Sequence, residues 1–324
     1  MSGGPCAGHF GGAGARPRPQ SLHKGGSTVG LWDRIRRLLG GGTPGHDLPS
    51  LAERLELTVD ELRAVEPRYR TFDIPKRSGG HRTIDAPDDR LKELQRRVLH
   101  RVLHGLRAHP AVHGFEDGRS IVTNARLHVG KAVVITLDIL DFFSNTTSRD
   151  IYRYLRFVGW SRSGAREIVR LTTYEGVLPQ GAPTSPRLSN LVNYRMDARL
   201  AGMANSFGGD YTRYADDLTF SLTSDERVAV QGLIRTACEI IRDEDYEPHA
   251  DKLTVRRRHQ RQEVTGLVVN ERIHLPRETR RWLRAVEHRL RTTGSCSLTE
   301  AELDGWLALT SMVHEQGEGV GVPD

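Results

Sequence analysis

The chain has 324 residues and a formal net charge of +6, with 27% charged, 37% hydrophobic and only 6% aromatic residues. That length allows one large domain or two to three subdomains around a shared core, and the ordinary composition argues against wholesale disorder. No run of about 18 apolar residues and no apolar leader occur, and the three cysteines (Cys6, Cys238, Cys296) and 14 histidines form no C-x-x-C or H-E-x-x-H. A reduced, intracellular, cytoplasmic protein without a membrane partner, disulfide framework or thiolate zinc site is therefore expected.

In chain order, residues 1–46 are Gly-rich, punctuated by Pro, and carry six Lys/Arg against one Asp. They read as a disordered basic tail with one short amphipathic candidate, Leu31–Leu39. Capping-box patterns at Ser50–Glu53 and Thr58–Glu61 place two short helix starts. Residues 70–87 read as a hairpin turning at Ser78-Gly79-Gly80, and 91–106 as a basic amphipathic helix. The β-branched run 131–139 reads as a buried strand, and 151–157 and 164–172 as helices. A helix is expected over 186–203 with Pro at its start, then strand, tight turn and strand over 211–222 and a helix over 228–243. A strand at 264–269, a basic helix and a final helix around 303–313 complete the chain.

The charge is unevenly placed. Residues 249–291 hold 12 Lys/Arg against 5 Asp/Glu, whereas 292–324 hold six acids and no base. At 100° per residue, Arg277, Arg281, Arg284, His288 and Arg291 share one stripe of a helix, with Trp282, Leu283, Val286 and Leu290 opposite. Such a helix buries one face and offers the other to phosphates, which gives affinity without reading sequence.

Two acidic features fall at strand ends: Asp138 after Val133–Leu137, and Asp216-Asp217 at the hairpin turn. Adjacent ionised carboxylates repel, which favours a cation between them, and oxygen ligands suit Mg²⁺ or Mn²⁺. Three such carboxylates could hold two ions about 3.5–4 Å apart, one activating a hydroxyl and one stabilising a leaving pyrophosphate. An isolated Asp-Asp is by itself more often a simple turn pair.

The surrounding residues change that balance. Tyr214-Ala215-Asp216-Asp217 within alternating strands, after an Asp on its own strand, resembles the palm of a reverse transcriptase. Leu178-Pro179-Gln180-Gly181-Ala182-Pro183-Thr184-Ser185-Pro186, then Leu188-Ser189-Asn190, is similar to that family's Gln-Gly…Ser-Pro segment. The resemblance covers roughly residues 50–315. It implies an α+β right-hand polymerase: fingers over 47–130, a palm over 131–263 with part of 146–180 joining the fingers, and a helical thumb over 264–324. It also implies Asp138, Asp216 and Asp217 as catalytic metal ligands for two Mg²⁺ ions. Lys76 and Arg82 would clamp the triphosphate of a dNTP, and Gln180 would pack against the nucleotide. Phe143, five residues after Asp138, would lie under the sugar and exclude a 2′-hydroxyl, with Phe142 as its competitor for that place. Lys252 resembles a later lysine near the leaving pyrophosphate, although Leu253-Thr254 follows it where the family has Thr directly.

Two further segments resemble retron reverse transcriptases: Asn124-Ala125-Arg126-Leu127-His128 matches N-A-x-x-H, and Val264-Thr265-Gly266 matches V-T-G. The Gln180…Ser185-Pro186 form departs from the I-G-x-x-x-S-Q of diversity-generating enzymes. From the short stretch after the last expected helix, no fused maturase, endonuclease, RNase H, protease or toxin domain is expected. The retron resemblance implies a cognate structured noncoding RNA, primed from an internal 2′-hydroxyl and copied into a branched RNA–DNA hybrid. It further implies antiphage defence with a separately encoded effector protein. Asn124, His128, Val264, Thr265, Gly266, Arg277, Arg281 and Arg284 are the expected RNA-binding residues. The alternatives are a non-retron defence or intron-derived reverse transcriptase, and a catalytically inactive RNA-binding scaffold.

Overall fold

A computed structural model describes residues 46–75 and 79–317. The tail assigned to 1–46, apart from His46, and with it the amphipathic candidate Leu31–Leu39, lies outside the described residues, as does Lys76.

The chain begins with α1 (Leu48–Arg54) and α2 (Val59–Arg63). The Thr58 capping box is formed: the Thr58 side chain accepts from the Glu61 amide while the Glu61 carboxylate accepts from Thr58. The cap of α1 is not Ser50. Asp47 accepts from the Ser50 amide at 3.0 Å, and Pro49 falls inside the first turn, where its missing N–H costs no helical bond. Strands β1 (Tyr69–Pro75) and β2 (His81–Pro87) pair as the expected hairpin, Ile74 opposite Arg82. The helix expected over 91–106 divides into α3 (Asp89–Val98) and a π-helical stretch Leu99–Leu103, and this widening keeps Val98, Val102 and Leu103 all buried.

After α4 (Ile121–Arg126) comes β3 (Val133–Asp138), buried nearly throughout, as its β-branched run requires when both faces are covered. Helices α5 (Phe142–Asn145), α6 (Ser148–Phe157) and α7 (Arg162–Thr172) follow. The single helix expected over 186–203 is two, α8 (Ser185–Val192) and α9 (Tyr194–Ser206), meeting at Asn193. The Asn193 amide donates to the Ser189 carbonyl and to the Tyr246 hydroxyl, bonding back along the helix and interrupting it. Strands β4 (Gly209–Tyr214) and β5 (Asp217–Leu222), helix α10 (Arg227–Asp243) and β6 (Thr254–Arg257) complete a four-stranded antiparallel sheet in the order β4-β5-β3-β6. The strand expected at 264–269 is a small hairpin, β7 (Glu263–Val264) and β8 (Leu267–Val268), turning at Thr265-Gly266 with φ 47° and 79°. Helices α11 (Arg277–Thr293) and α12 (Glu300–Gly317) end the described chain.

Three apolar clusters hold these elements. One joins α1, α2, α3, α6, α7 and α8. A second fills the space between the sheet and α9 and α10. The third joins α4, the β7–β8 hairpin, α11 and α12. Helix α4, which is not among the elements expected from the sequence, packs with the C-terminal elements. Architecture and connectivity are those of a right-hand polymerase, mixed helices around an antiparallel sheet. Among the described residues no helix is long and apolar enough to cross a membrane.

Candidate active site

The sheet brings the three aspartates to one end. Asp138 closes β3 and pairs in register with Asp217, the first residue of β5. Asp216 sits in the two-residue turn between β4 and β5, whose other member, Ala215, has φ 59°. The Ile139 amide donates to the Asp216 carbonyl at 3.1 Å, stitching the turn to the end of β3. Gly114 permits the closest approach behind this turn: a Cβ there would lie 2.8 Å from the Ala215 nitrogen.

Positive charge reaches the carboxylates from two sides. Lys252, on a 3₁₀ turn at Ala250–Lys252, donates from Nζ to Asp138 Oδ2 at 2.8 Å. Burial acts to lower the Lys252 pKa, but the Asp138 hydrogen bond and the three carboxylates together raise it, so the ammonium stays charged. Arg82, exposed on β2, is near enough for its charge to favour ionised Asp216. These charges do not cancel the crowding. Desolvation and then the Asp138 carboxylate raise the Asp216 pKa. The Asp217 side chain reaches solvent but is desolvated on its inner side. That effect, with Asp216, Asp138 and a hydrogen bond to Asp138, pushes its pKa up to about 6. Among the described residues no three His, Cys, Asp or Glu side chains close into a ready-made metal cage. The donors are nevertheless all carboxylate oxygens, and their mutual repulsion is what a divalent cation relieves, so they fit Mg²⁺.

The flanking residues Phe142, Phe143 and Gln180 lie on α5 and on the segment after α7. Phe142 is buried in the core, 5.5 Å from the Tyr246 ring centroid, whereas Phe143 is half-buried and packs partly against the first apolar cluster. The Gln180 carbonyl accepts from the Asp85 amide at 2.8 Å, fixing the Gln-Gly segment to β2. Gly181 makes that crossing possible, with φ 133° and Ile84 and Asp85 so near that a Cβ would lie 2.9–3.0 Å from them.

The two signature segments meet each other. Asn124 and Thr265, 141 residues apart, approach side chain to side chain at 3.5 Å, and the Thr265 hydroxyl donates to the Ile121 carbonyl. Asn124, His128 and Val264 are buried, so the RNA contact expected of them is not available; Thr265 and Gly266, at the hairpin tip, reach solvent. His128 bridges Ser221 at 2.7 Å and Thr212 at 2.8 Å, and burial pushes its pKa down to about 3. It is a neutral strut between β4, β5 and the C-terminus of α4. On α11, Arg277, Arg281, Arg284, His288 and Arg291 are exposed, with Leu283 and Val286 beneath them. Trp282 and Leu290, expected inside, lie at the margin, Trp282 edge-on to Trp306 at 5.2 Å.

Sequence reasoning missed a wholly buried ion pair, Arg213 with Asp197. The available signal was an arginine inside the strand that leads into the Asp216-Asp217 turn, a place where a charged side chain is rarely enclosed without a partner.

The family described as reverse transcriptase (RNA-dependent DNA polymerase) matches residues 74–270. The chain is 42% identical over 269 residues to the Retron Mx65 reverse transcriptase of Myxococcus xanthus, covering 77% of this chain and 62% of that protein. It is 36% identical over 306 residues to the Retron Mx162 reverse transcriptase of the same organism, covering 82% and 63%. It is 32% identical over 278 residues to the Retron Ec86 reverse transcriptase of Escherichia coli, covering 84% and 86%. The chain thus spans somewhat over three-fifths of the length of the two Myxococcus relatives. A match from β1 to the end of the β7–β8 hairpin, with all three aspartates inside it, means that the chain belongs to the reverse transcriptase family, among its retron members.

Proposed function

We propose that this protein is an RNA-directed DNA polymerase that copies part of a cognate structured RNA into a branched RNA–DNA hybrid. The observation that carries the reading is the convergence of Asp138, Asp216 and Asp217 at one sheet end, faced by Lys252 and by Arg82 of the β1–β2 hairpin. Asp138, Asp216 and Asp217 would hold two Mg²⁺ ions, which supply charge stabilisation for the attacking hydroxyl and the departing pyrophosphate. The chain's own residues do the rest. Arg82, with Lys76, binds triphosphate oxygens through charge-assisted hydrogen bonds. Lys252, already protonated, offers a proton or positive charge to the leaving pyrophosphate. Phe143 presents a ring where a 2′-hydroxyl would collide, and the Gln180 segment, anchored to β2, backs the base. In domain terms the first cluster makes the fingers, the sheet with α9 and α10 the palm, and the third cluster the thumb, α4 included.

The retron assignment implies priming from an internal 2′-hydroxyl of the RNA and a role in antiphage defence beside an effector protein. RNA is recognised mainly by shape and by splayed bases, and the exposed arginines of α11 offer phosphate contacts to such a fold. The test is to express the chain with about a kilobase of its native flanking DNA and sequence the nucleic acid that co-purifies, with Asp216→Asn as control. A discrete DNA joined 2′–5′ to RNA, cleaved by a debranching enzyme and absent from the control, is expected. Extension of a supplied primer–template without any branched product would overturn the retron chemistry while keeping the polymerase. Bound RNA with neither activity would overturn both.

A further inference from the structure

Behind the aspartate turn lies a charged group that touches neither solvent nor the face where the carboxylates gather. Arg213 of β4 and Asp197 of α9 are both fully buried. The guanidinium grips the carboxylate at two points, Nε to Oδ1 at 2.8 Å and Nη2 to Oδ2 at 2.7 Å. The Tyr211 hydroxyl donates to Asp197 Oδ1 at 2.8 Å. The other guanidinium nitrogen faces the turn: Nη1 donates to the Ala215 carbonyl at 3.0 Å and to Asn190 Oδ1 at 3.1 Å. Asn190 is itself fixed, its amide nitrogen donating to the Gly114 carbonyl and to Glu116, each at 2.8 Å. The ring of Phe142 lies 5.4 Å from the guanidinium carbon.

Burying an ion pair is a poor way to stabilise a fold, because two apolar residues of similar volume often serve as well or better. What apolar residues cannot do is hold a carbonyl. The carbonyl held here belongs to Ala215, a residue with a Cβ in the left-handed region, immediately before Asp216 and Asp217. Its neighbour's carbonyl, that of Asp216, accepts from the Ile139 amide next to Asp138. Arg213 thus grips the turn from inside the palm and the end of β3 grips it from the side. Gly114, which permits the tight approach to Ala215, is tied to the same guanidinium through Asn190.

We propose that Arg213, oriented by Asp197 and Asn190, is a positioning residue of the catalytic centre: it holds the Ala215 carbonyl and so sets the placement of the Asp216 and Asp217 carboxylates. The inference rests on the reading of those aspartates as the catalytic set. It identifies a function for a fully buried ion pair. A fork with one arm on Asp197 and another on Ala215 is geometry that lysine, with a single nitrogen, cannot reproduce.

The experiment uses the full chain with a poly(rA)–oligo(dT) template–primer. Three variants are compared: Arg213→Met combined with Asp197→Leu, Arg213→Lys alone, and Asp216→Asn. Thermal unfolding, template–primer affinity, kcat, KM for dTTP and hydrogen exchange at the Ile139 amide are measured. The double variant is expected to fold, to keep affinity and KM within about threefold, and to lose about 100-fold in kcat, the scale of an ångström-sized misplacement. Faster exchange at Ile139 is expected with it. Arg213→Lys is expected to fold with about a tenfold loss in kcat, and it decides the matter if the double variant does not fold. Unchanged kcat and unchanged Ile139 exchange in a folded variant would overturn the proposal. Extension surviving in Asp216→Asn would instead overturn the assignment of the aspartates, and Ile139 exchange would still judge the brace.

Discussion

Two charged clusters meet at the turn between β4 and β5, and they are built on opposite principles. Inside the palm, Arg213 and Asp197 are fully buried and matched, with Tyr211, Asn190 and the Ala215 carbonyl completing the set. At the sheet end, three carboxylates share Lys252 and the more distant Arg82, and two of them have raised pKa values. The first cluster is satisfied by the chain alone, whereas the second keeps a carboxylate repulsion that a cation from outside would relieve. Groups held in a crowded, undercompensated arrangement mark a site where charge is meant to arrive.

The sharpest way to break the comparison is to remove one member of the unsatisfied cluster. Asp216→Asn is expected to lower primer extension by about a thousandfold or more, since metal stabilisation of transition-state charge is worth several kcal/mol. Folding and RNA affinity are expected to stay near those of the parent, because Asp216 is half-buried and repelled by its neighbours. Steady-state extension beside a filter-binding isotherm checks this. Extension within tenfold of the parent would move the catalytic role to other groups.

Helix α11 carries a third kind of charge, exposed, which the proposed function assigns to the phosphates of the RNA. Replacing Arg281 and Arg284 together by Ala should weaken RNA binding and flatten the slope of log K against log salt by about 1.4–1.8, at roughly 0.7–0.9 for each phosphate no longer neutralised. Both side chains lie on the exposed face of α11, above Leu283 and Val286, so the helix is expected to stay folded. A titration series from 50 to about 200 mM salt reads the slope directly, and an unchanged slope places the RNA elsewhere.

Among the residues around the sheet end, Phe142 and Phe143 divide the work by burial. Phe143→Val is expected to relax discrimination against ribonucleotides by about 10- to 100-fold, the range a missing apolar contact commands. The measurement is the ratio of kcat/KM for dTTP and UTP. Phe142→Ala should leave that ratio alone and instead cost about 3–5 kcal/mol of stability, because it empties a core position.

What was legible in the sequence was local. The strand, turn and strand around Asp216, and the Thr58 cap, declare themselves within a few residues, because a period-2 pattern and a capping box are short-range devices. Asp47 and Ser50 both carry acceptors able to cap a helix three residues on, so only the geometry chooses between them. The break at Asn193 depends on Tyr246, 53 residues away, and the burial of His128 on Thr212 and Ser221, 84 and 93 residues away. No window along the chain contains those partners. The signature residues Asn124 and His128 therefore read as polar surface in one dimension and lie in the interior in three. Arg213 is hidden over a shorter span, its partners Asp197 and Asn190 lying 16 and 23 residues back on two helices on either side of the break.

The smallest effect separates the two clusters by proton rather than by mutation. Asp217 has a folded pKa pushed up to about 6, by desolvation first and by Asp216 and Asp138 next, against an ordinary value of 3.8. The folded chain therefore retains a proton that the unfolded chain has already released. Stability in chelator is expected to be greater below about pH 4 than the site's ionised form allows, and to fall as pH rises from about 4 through 6. Mg²⁺ competes with that proton for the same oxygens, so its stabilising effect should grow over the same window. Thermal midpoints of the parent and of Asp217→Asn, taken with chelator and with Mg²⁺ across this range, isolate the contribution. In chelator the parent should lose ground to the variant as the pH rises from about 4 through 6, and Mg²⁺ should restore it. Arg213 of the satisfied pair offers no such handle, because a guanidinium stays protonated at every accessible pH. A parent-minus-variant difference that stays flat through the window would mean that the crowding of Asp217 is relieved in solution, and with it the contrast between the two clusters.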